Sequence, residues 1–109
     1  MNPSPTDVLL ELQKVLQERK SASAEKSYAA SLYAKGLDTI LKKVGEEAAE
    51  TIIAAKNPDN AALVYEVADL WYHLMVLLAS KDIPVTAITD ELDRRMGTSG
   101  HAEKASRSK

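Results

Sequence analysis

An all-α fold, an antiparallel helical bundle of about four main helices, is what the 109-residue sequence predicts. Three observations carry that expectation. Apolar residues recur at three- and four-residue spacing through four segments, capping and breaking residues separate those segments, and nothing alternates with period two for long enough to make a strand. The length suits a single domain, 1–109, built around one modest core.

Each element has its own signals. Ser4-Pro5-Thr6-Asp7 opens the first main helix. Ser4 caps it, Pro5 sits in the first turn where a missing N–H is harmless, and Asp7 meets the positive end of the helix dipole. Val8, Leu9, Leu12, Val15 and Leu16 carry the helix to about Arg19. Residues 20–26, rich in Ser and Ala, read as a loop, and a short helical piece from Ser27 stops at Gly36. The second main helix runs from about Leu37 to Lys56 with Leu37, Ile40, Leu41, Val44, Ala48, Ile52 and Ala55 on one face. Asn57-Pro58-Asp59-Asn60 ends it and starts the third, roughly Asn60 to Ala79. After a turn from Lys81 to Pro84, Val85, Ile88, Leu92 and Met96 form the stripe of the fourth, which Gly97 closes. Residues 97–109 make a basic C-terminal tail.

Composition narrows the function. With 45% apolar and 28% charged residues the chain is ordinary globular material and not a disordered one. The absence of cysteine excludes a disulfide framework, a thiolate zinc site and a thiol nucleophile. The longest apolar stretch, Leu70 to Ala79, is interrupted by His73, so no membrane span is expected. Residues 1–5 lack the basic and apolar regions of a signal peptide, and the cytoplasm is the expected compartment. Charge is uneven. Arg94, Arg95, Lys104, Arg107 and Lys109 face only Glu103 in the last sixteen residues, which suits an anionic ligand, while the acidic remainder would repel a nucleic-acid polymer.

The chemistry gathers in the second and third main helices. At 100° per residue, Glu47 and Glu50 share a stripe, with Lys43 one turn before and Glu46 at its edge. The third helix is apolar around nearly its whole circumference, the pattern of a buried helix, and its one polar stripe is Glu66, Asp69 and His73. Buried carboxylates must be paired, protonated or bound to a cation, and these two helices offer few basic partners. Facing Glu47 and Glu50 against Glu66 and Asp69 would make a cluster of hard oxygen ligands suited to magnesium or manganese. A di-iron centre fits poorly, since it uses Glu-x-x-His twice, whereas His73 lies four residues after Asp69 and the other histidine, His101, is in the tail. His73 is read either as a hydrogen-bond partner behind Asp69 or as a satisfied core residue.

Glu46-Glu47-x-x-Glu50 followed by Glu66-x-x-Asp69 resembles the signature of the all-α nucleotide pyrophosphohydrolases, magnesium-dependent bundles that hydrolyse nucleoside triphosphates to monophosphates. Arg19-Lys20, Ser27-Tyr28, Lys42 to Ala48, Tyr65 to Leu70, Tyr72-His73, Ser99-Gly100, Glu103 to Ala105 and Arg107 sharpen this to a resemblance to the phosphoribosyl-ATP pyrophosphohydrolase family, over nearly the whole chain. That resemblance implies hydrolysis of phosphoribosyl-ATP to phosphoribosyl-AMP and pyrophosphate, the second step of histidine biosynthesis. The alternative is a housekeeping enzyme acting on a canonical or damaged deoxynucleotide. A stand-alone form is expected, without the cysteine-dependent cyclohydrolase fused to some relatives, and a homodimer, as in relatives that pair to cover apolar surface.

The same resemblance implies roles. Glu47, Glu50, Glu66 and Asp69 would hold the metal, and Glu46, with Glu47 and Glu50 in the catalytic set, would support it or orient the attacking water. Lys43 serves as a phosphate contact or as an ordinary i, i+4 partner of Glu47. Arg19, Lys20, Arg95, Ser99, Lys104 and Arg107 complete the expected substrate contacts, and Tyr28 either stacks on a base or packs in the core. The ribose 5-phosphate of this substrate lies far from its triphosphate, so a second cationic site is expected, with Arg94, Arg95, Lys104 and Arg107 as candidates.

Overall fold

Local chemistry at the helix ends fixes where the chain turns. In the computed structural model, which describes residues 3–97, α1 spans Pro5–Glu18, and Ser4 caps it in a reciprocal box with Asp7. A short 3-10 turn, Arg19–Ser21, follows, tightening what the sequence assigns to a loop. Then come α2 (Tyr28–Lys35), α3 (Leu37–Ala55), α4 (Asn60–Ser80) and α5 (Val85–Met96), with no strand among the described residues. The four main helices of the sequence reading are α1, α3, α4 and α5, and α2 is the short piece, capped by the Ser27 hydroxyl on the Ala30 amide.

Gly36 ends α2 and starts α3 in one residue. Its φ of 100° and ψ of 179° lie in a region open to glycine alone, which is why the two helices meet with no loop between them. Asp59 caps α4 through the Ala61 and Ala62 amides. Pro84 lacks a capping side chain, and the Val85 amide at the start of α5 instead donates to the Gln13 side chain of α1, a long-range cap that no local pattern announces.

The core lies where α1, α2, α3 and α4 converge. Leu16, Leu32, Ile40 and Val76 are its most buried large side chains, with Met75, Ala79 and Val85 around them. Tyr33 fastens α2 to α1 by donating its hydroxyl to the Leu16 carbonyl, 3.0 Å away. The most extensive helix contact is between α3 and α4.

Two expectations change here. The single chain does not bury α4: Val64, Tyr65 and Trp71 are 68%, 69% and 54% exposed, and Ile52 and Ile53 of α3 are exposed as well. The other helices cover one side of α4, and an all-round apolar helix needs a further surface for the other side. By length and composition α4 is also apolar enough to cross a membrane, so the expectation that no segment approaches a span does not hold on that count.

The two glycines bordering and inside α3 should respond in opposite directions. Gly36→Ala must force an alanine into a left-handed backbone and should cost about 1–3 kcal/mol. Gly45 lies inside the helix with open space where a Cβ would go, so Gly45→Ala should add roughly 0.5–1 kcal/mol. Urea denaturation of both variants checks this, and equal signs would defeat the assignment.

Candidate active site

Pairing of α3 with α4 sets two i, i+3 carboxylate pairs against each other. One oxygen from each of Glu47, Glu50, Glu66 and Asp69 lies within 4.8 Å of the others, and Glu47, Asp69 and His73 form an overlapping group. Glu47 sits deepest, 4% exposed, while Glu50 is at the solvent edge. Thr51 holds the two helices in register, its hydroxyl 2.8 Å from the Glu47 carbonyl and 3.3 Å from that of Glu66. Sequence reasoning missed Thr51. Its only signal was a hydroxyl one residue after Glu50, facing the polar stripe of the next helix.

The electrostatics are those of an uncompensated site. Burial raises the Glu47 carboxyl to about 7, and proton sharing with Asp69 and Glu50 adds to the effect. Glu66 also moves up, first through hydrogen bonding with Glu50 and then through desolvation. Glu47 Oε2 and Glu66 Oε2 are buried without a hydrogen-bond partner. Two orphaned carboxylate oxygens in a ring of four acids fit a hard divalent cation, because such an ion supplies the positive charge and the coordination they lack.

Among the described residues, Lys43 is the one cation in direct reach. Its Nζ lies 3.5 Å from Glu46 and 3.6 Å from Glu47, so the salt-bridge reading is realised, and Glu46 occupies the exposed rim. Behind the acids, the His73 ring, 2% exposed, donates Nδ1–H to the Asp69 carbonyl at 2.8 Å, leaving Nε2 to accept the Tyr28 hydroxyl at 2.7 Å. Both open readings of His73 therefore hold in part: it is buried and satisfied, and it stands directly behind Asp69. Tyr28 is half exposed and lies near parallel to Tyr72, with ring centroids 6.2 Å apart. Burial raises its hydroxyl pKa and Lys43 opposes the shift, while Asp69, Glu47 and Glu46 add to it, so this phenol feels the acidic cluster.

Other expected contacts fall elsewhere. Lys20 pairs with Asp82 at 2.7 Å, and Arg95 pairs with Glu91, which also holds Arg94. The ion pairs of Lys20 and Arg95 lie outside the acidic cluster. Arg19 stands at the end of α1, close enough to act on Tyr72. Ser99, Lys104 and Arg107 lie outside the described residues.

Helices throughout the described residues, with four acids converging from two adjacent helices, define a class: a helical bundle carrying an acidic cluster that could hold a divalent cation. Comparison with known proteins agrees. Residues 9–96 match the profile of the family described as Phosphoribosyl-ATP pyrophosphohydrolase. A Phosphoribosyl-ATP pyrophosphatase of Hydrogenovibrio crunogenus is 59% identical over 107 residues, covering 94% of this chain and 95% of that protein. Proteins of the same name from Methylococcus capsulatus and Ruthia magnifica are 58% and 56% identical, each covering 93% of this chain and 96% of theirs. The chain belongs to the phosphoribosyl-ATP pyrophosphohydrolase family.

A raised carboxyl has a pH signature. Folded Glu47 keeps a proton that the unfolded chain releases above its ordinary value of 4.5, so metal-free stability should fall as pH rises from there to about 7. Glu47→Gln removes that titration, and in a chelator the variant should melt above the wild type at about pH 8, with the gap closing toward acid pH. Magnesium should raise the melting temperature of the wild type but hardly that of the variant. Parallel melting curves across this pH range would argue against an uncompensated Glu47.

Proposed function

We propose that this chain hydrolyses phosphoribosyl-ATP to phosphoribosyl-AMP and pyrophosphate, the second step of histidine biosynthesis. The convergence of Glu47, Glu50, Glu66 and Asp69, in a chain so similar to proteins named for that substrate, supports this reading most directly. These four carboxylates would hold magnesium, with manganese as its substitute, and the ion would supply neutralisation of the polyphosphate oxygens.

The chain's own residues supply the rest. Glu47 forms the acidic floor with Glu50 at its solvent edge, and Glu46 on the rim orients the attacking water. Lys43, already bridging Glu46 and Glu47, turns one of its N–H groups to a phosphate oxygen. Water forms the new P–O bond and gives up its proton to solvent, the phosphoanhydride breaks, and pyrophosphate leaves with the bonding pair. No side chain acts as nucleophile. His73 holds the Asp69 backbone and the Tyr28 hydroxyl in place throughout. Ser99, Lys104 and Arg107 of the tail add contacts to the substrate anion.

The enzyme works as a homodimer in the cytoplasm, away from membranes and nucleic-acid polymers. The exposed face of Ile52, Ile53, Val64, Tyr65 and Trp71 supports pairing with a second copy, which would bury the apolar side of α4 that this chain leaves open.

Glu50→Gln and Asp69→Asn should each lower turnover by roughly 100-fold or more, beyond the range usual for residues that only support a ligand, with unchanged helicity by circular dichroism. Near-normal turnover of both variants at limiting magnesium would remove the site assignment. Assaying deoxynucleoside triphosphates alongside separates the housekeeping alternative, since equal efficiency on them would move the enzyme out of the histidine pathway. For the dimer, sedimentation should give twice the chain mass, and Val64→Asp should shift it to one. A monomeric wild type at micromolar concentration would end that proposal.

A further inference from the structure

Two cations on the far side of Tyr28 are left without an ion pair among the described residues. Arg19 and Lys26 line a polar cavity of about 300 Å³ together with Val15, Ser27, Tyr28 and Tyr72. The Ser27 oxygen already accepts the Ala30 amide, so its own O–H remains free to donate into the cavity. Along one wall lie the paired rings of Tyr28 and Tyr72. Tyr28 is shared between two places, because its hydroxyl is fixed by His73, whose ring nitrogen in turn lies within the acidic group of Glu47 and Asp69.

Resting on the reading of the acidic cluster as the triphosphate site, we infer that this cavity receives the ribose 5-phosphate end of phosphoribosyl-ATP. Arg19 and Lys26 pair with the terminal phosphate, Ser27 donates to it, and the tyrosine wall separates it from the scissile end. A phosphate monoester is dianionic near neutral pH, and two cations that no carboxylate occupies are suited to it. The rival positions are weaker. Arg94 and Arg95 share Glu91. The larger cavity of about 400 Å³ beside Lys20 and Lys81 is compromised by the bond of Lys20 to Asp82, and none of its lining residues belongs to the acidic cluster. The site therefore explains how one chain tells its substrate from plain ATP, since ATP has nothing to place beyond Tyr28. Binding energy gained there would orient the scissile bond over the carboxylates.

The test uses two readouts on the full chain. In the first, Arg19→Ala combined with Lys26→Ala should lower kcat/KM for phosphoribosyl-ATP by roughly 30-fold or more, as expected for two charge-assisted contacts at a partly exposed site. Hydrolysis of ATP should change by less than about twofold, because ATP makes neither contact. Equal losses on both substrates, or a loss found only with Lys81→Ala, would overturn the assignment. The second readout is binding of ribose 5-phosphate in the presence of a chelator, followed by calorimetry. Wild type and Asp69→Asn should bind it, and the double variant should not. Absence of binding to the wild type, or unchanged binding in the double variant, also overturns the inference. Because this arm needs neither metal nor turnover, the two readings fail separately. A wild type inactive on phosphoribosyl-ATP that still holds ribose 5-phosphate through Arg19 and Lys26 would sink the proposed reaction alone.

Discussion

Mutual repulsion among four carboxylates is the constraint around which this fold is arranged. Packing α3 on α4 buries apolar surface, but the same packing forces Glu47 and Glu50 against Glu66 and Asp69. A buried, unpaired carboxylate costs several kcal/mol, and that cost shows as the raised carboxyls of Glu47 and Glu66. The helix pair is thus stabilised by its apolar contacts and destabilised at one point by its function. Thr51 matters for this reason: a hydroxyl shared between the Glu47 and Glu66 carbonyls holds the helices together at the level where the charges push them apart.

From that point the arrangement spreads outward through neutral groups. His73 uses one ring nitrogen on the Asp69 backbone and the other on Tyr28, so the position of α2 is tied to the acidic turn of α4. Gly36 allows α2 to meet α3 without a loop, which keeps Tyr28 close to Lys43 and the acids. A longer connection would free α2 to drift and with it Tyr28, the aromatic side chain whose hydroxyl joins the cationic cavity to His73 behind the acids.

Much of this was legible along the chain because the signals are local. The Ser4 cap, the start of the short piece at Ser27 and the break at residues 57–60 located helix starts to within a residue. Periodicity picked out Leu16, Ile40 and Val85 of the core, whereas Leu37, Leu41, Ile52, Ile88, Leu92 and Met96 of the same stripes are exposed in the single chain. The acidic set was legible for the same reason: i, i+3 spacing on two consecutive long helices leaves little choice about which side chains share a face. Less legible was α4, whose apolar circumference reads as burial although the single chain covers only one side of it. Periodicity reports that a surface seeks a partner and does not say whether the partner is in the same chain.

By itself, then, the sequence determined the helices, the two acidic stripes and the lack of cysteine chemistry, since each follows from neighbours within a few residues. Only the tertiary structure decided which cations remain available. Lys20, Lys43 and Arg95 look alike as letters, yet one is held by Asp82 across sixty-two residues, one joins the acidic cluster, and one is held by Glu91 a turn away. Tertiary packing likewise gave the Val85 amide its cap from Gln13 and turned Tyr28 toward His73, forty-five residues distant. Charge pairing and hydrogen bonding across that separation depend on how helices stack, and no local pattern encodes the stacking.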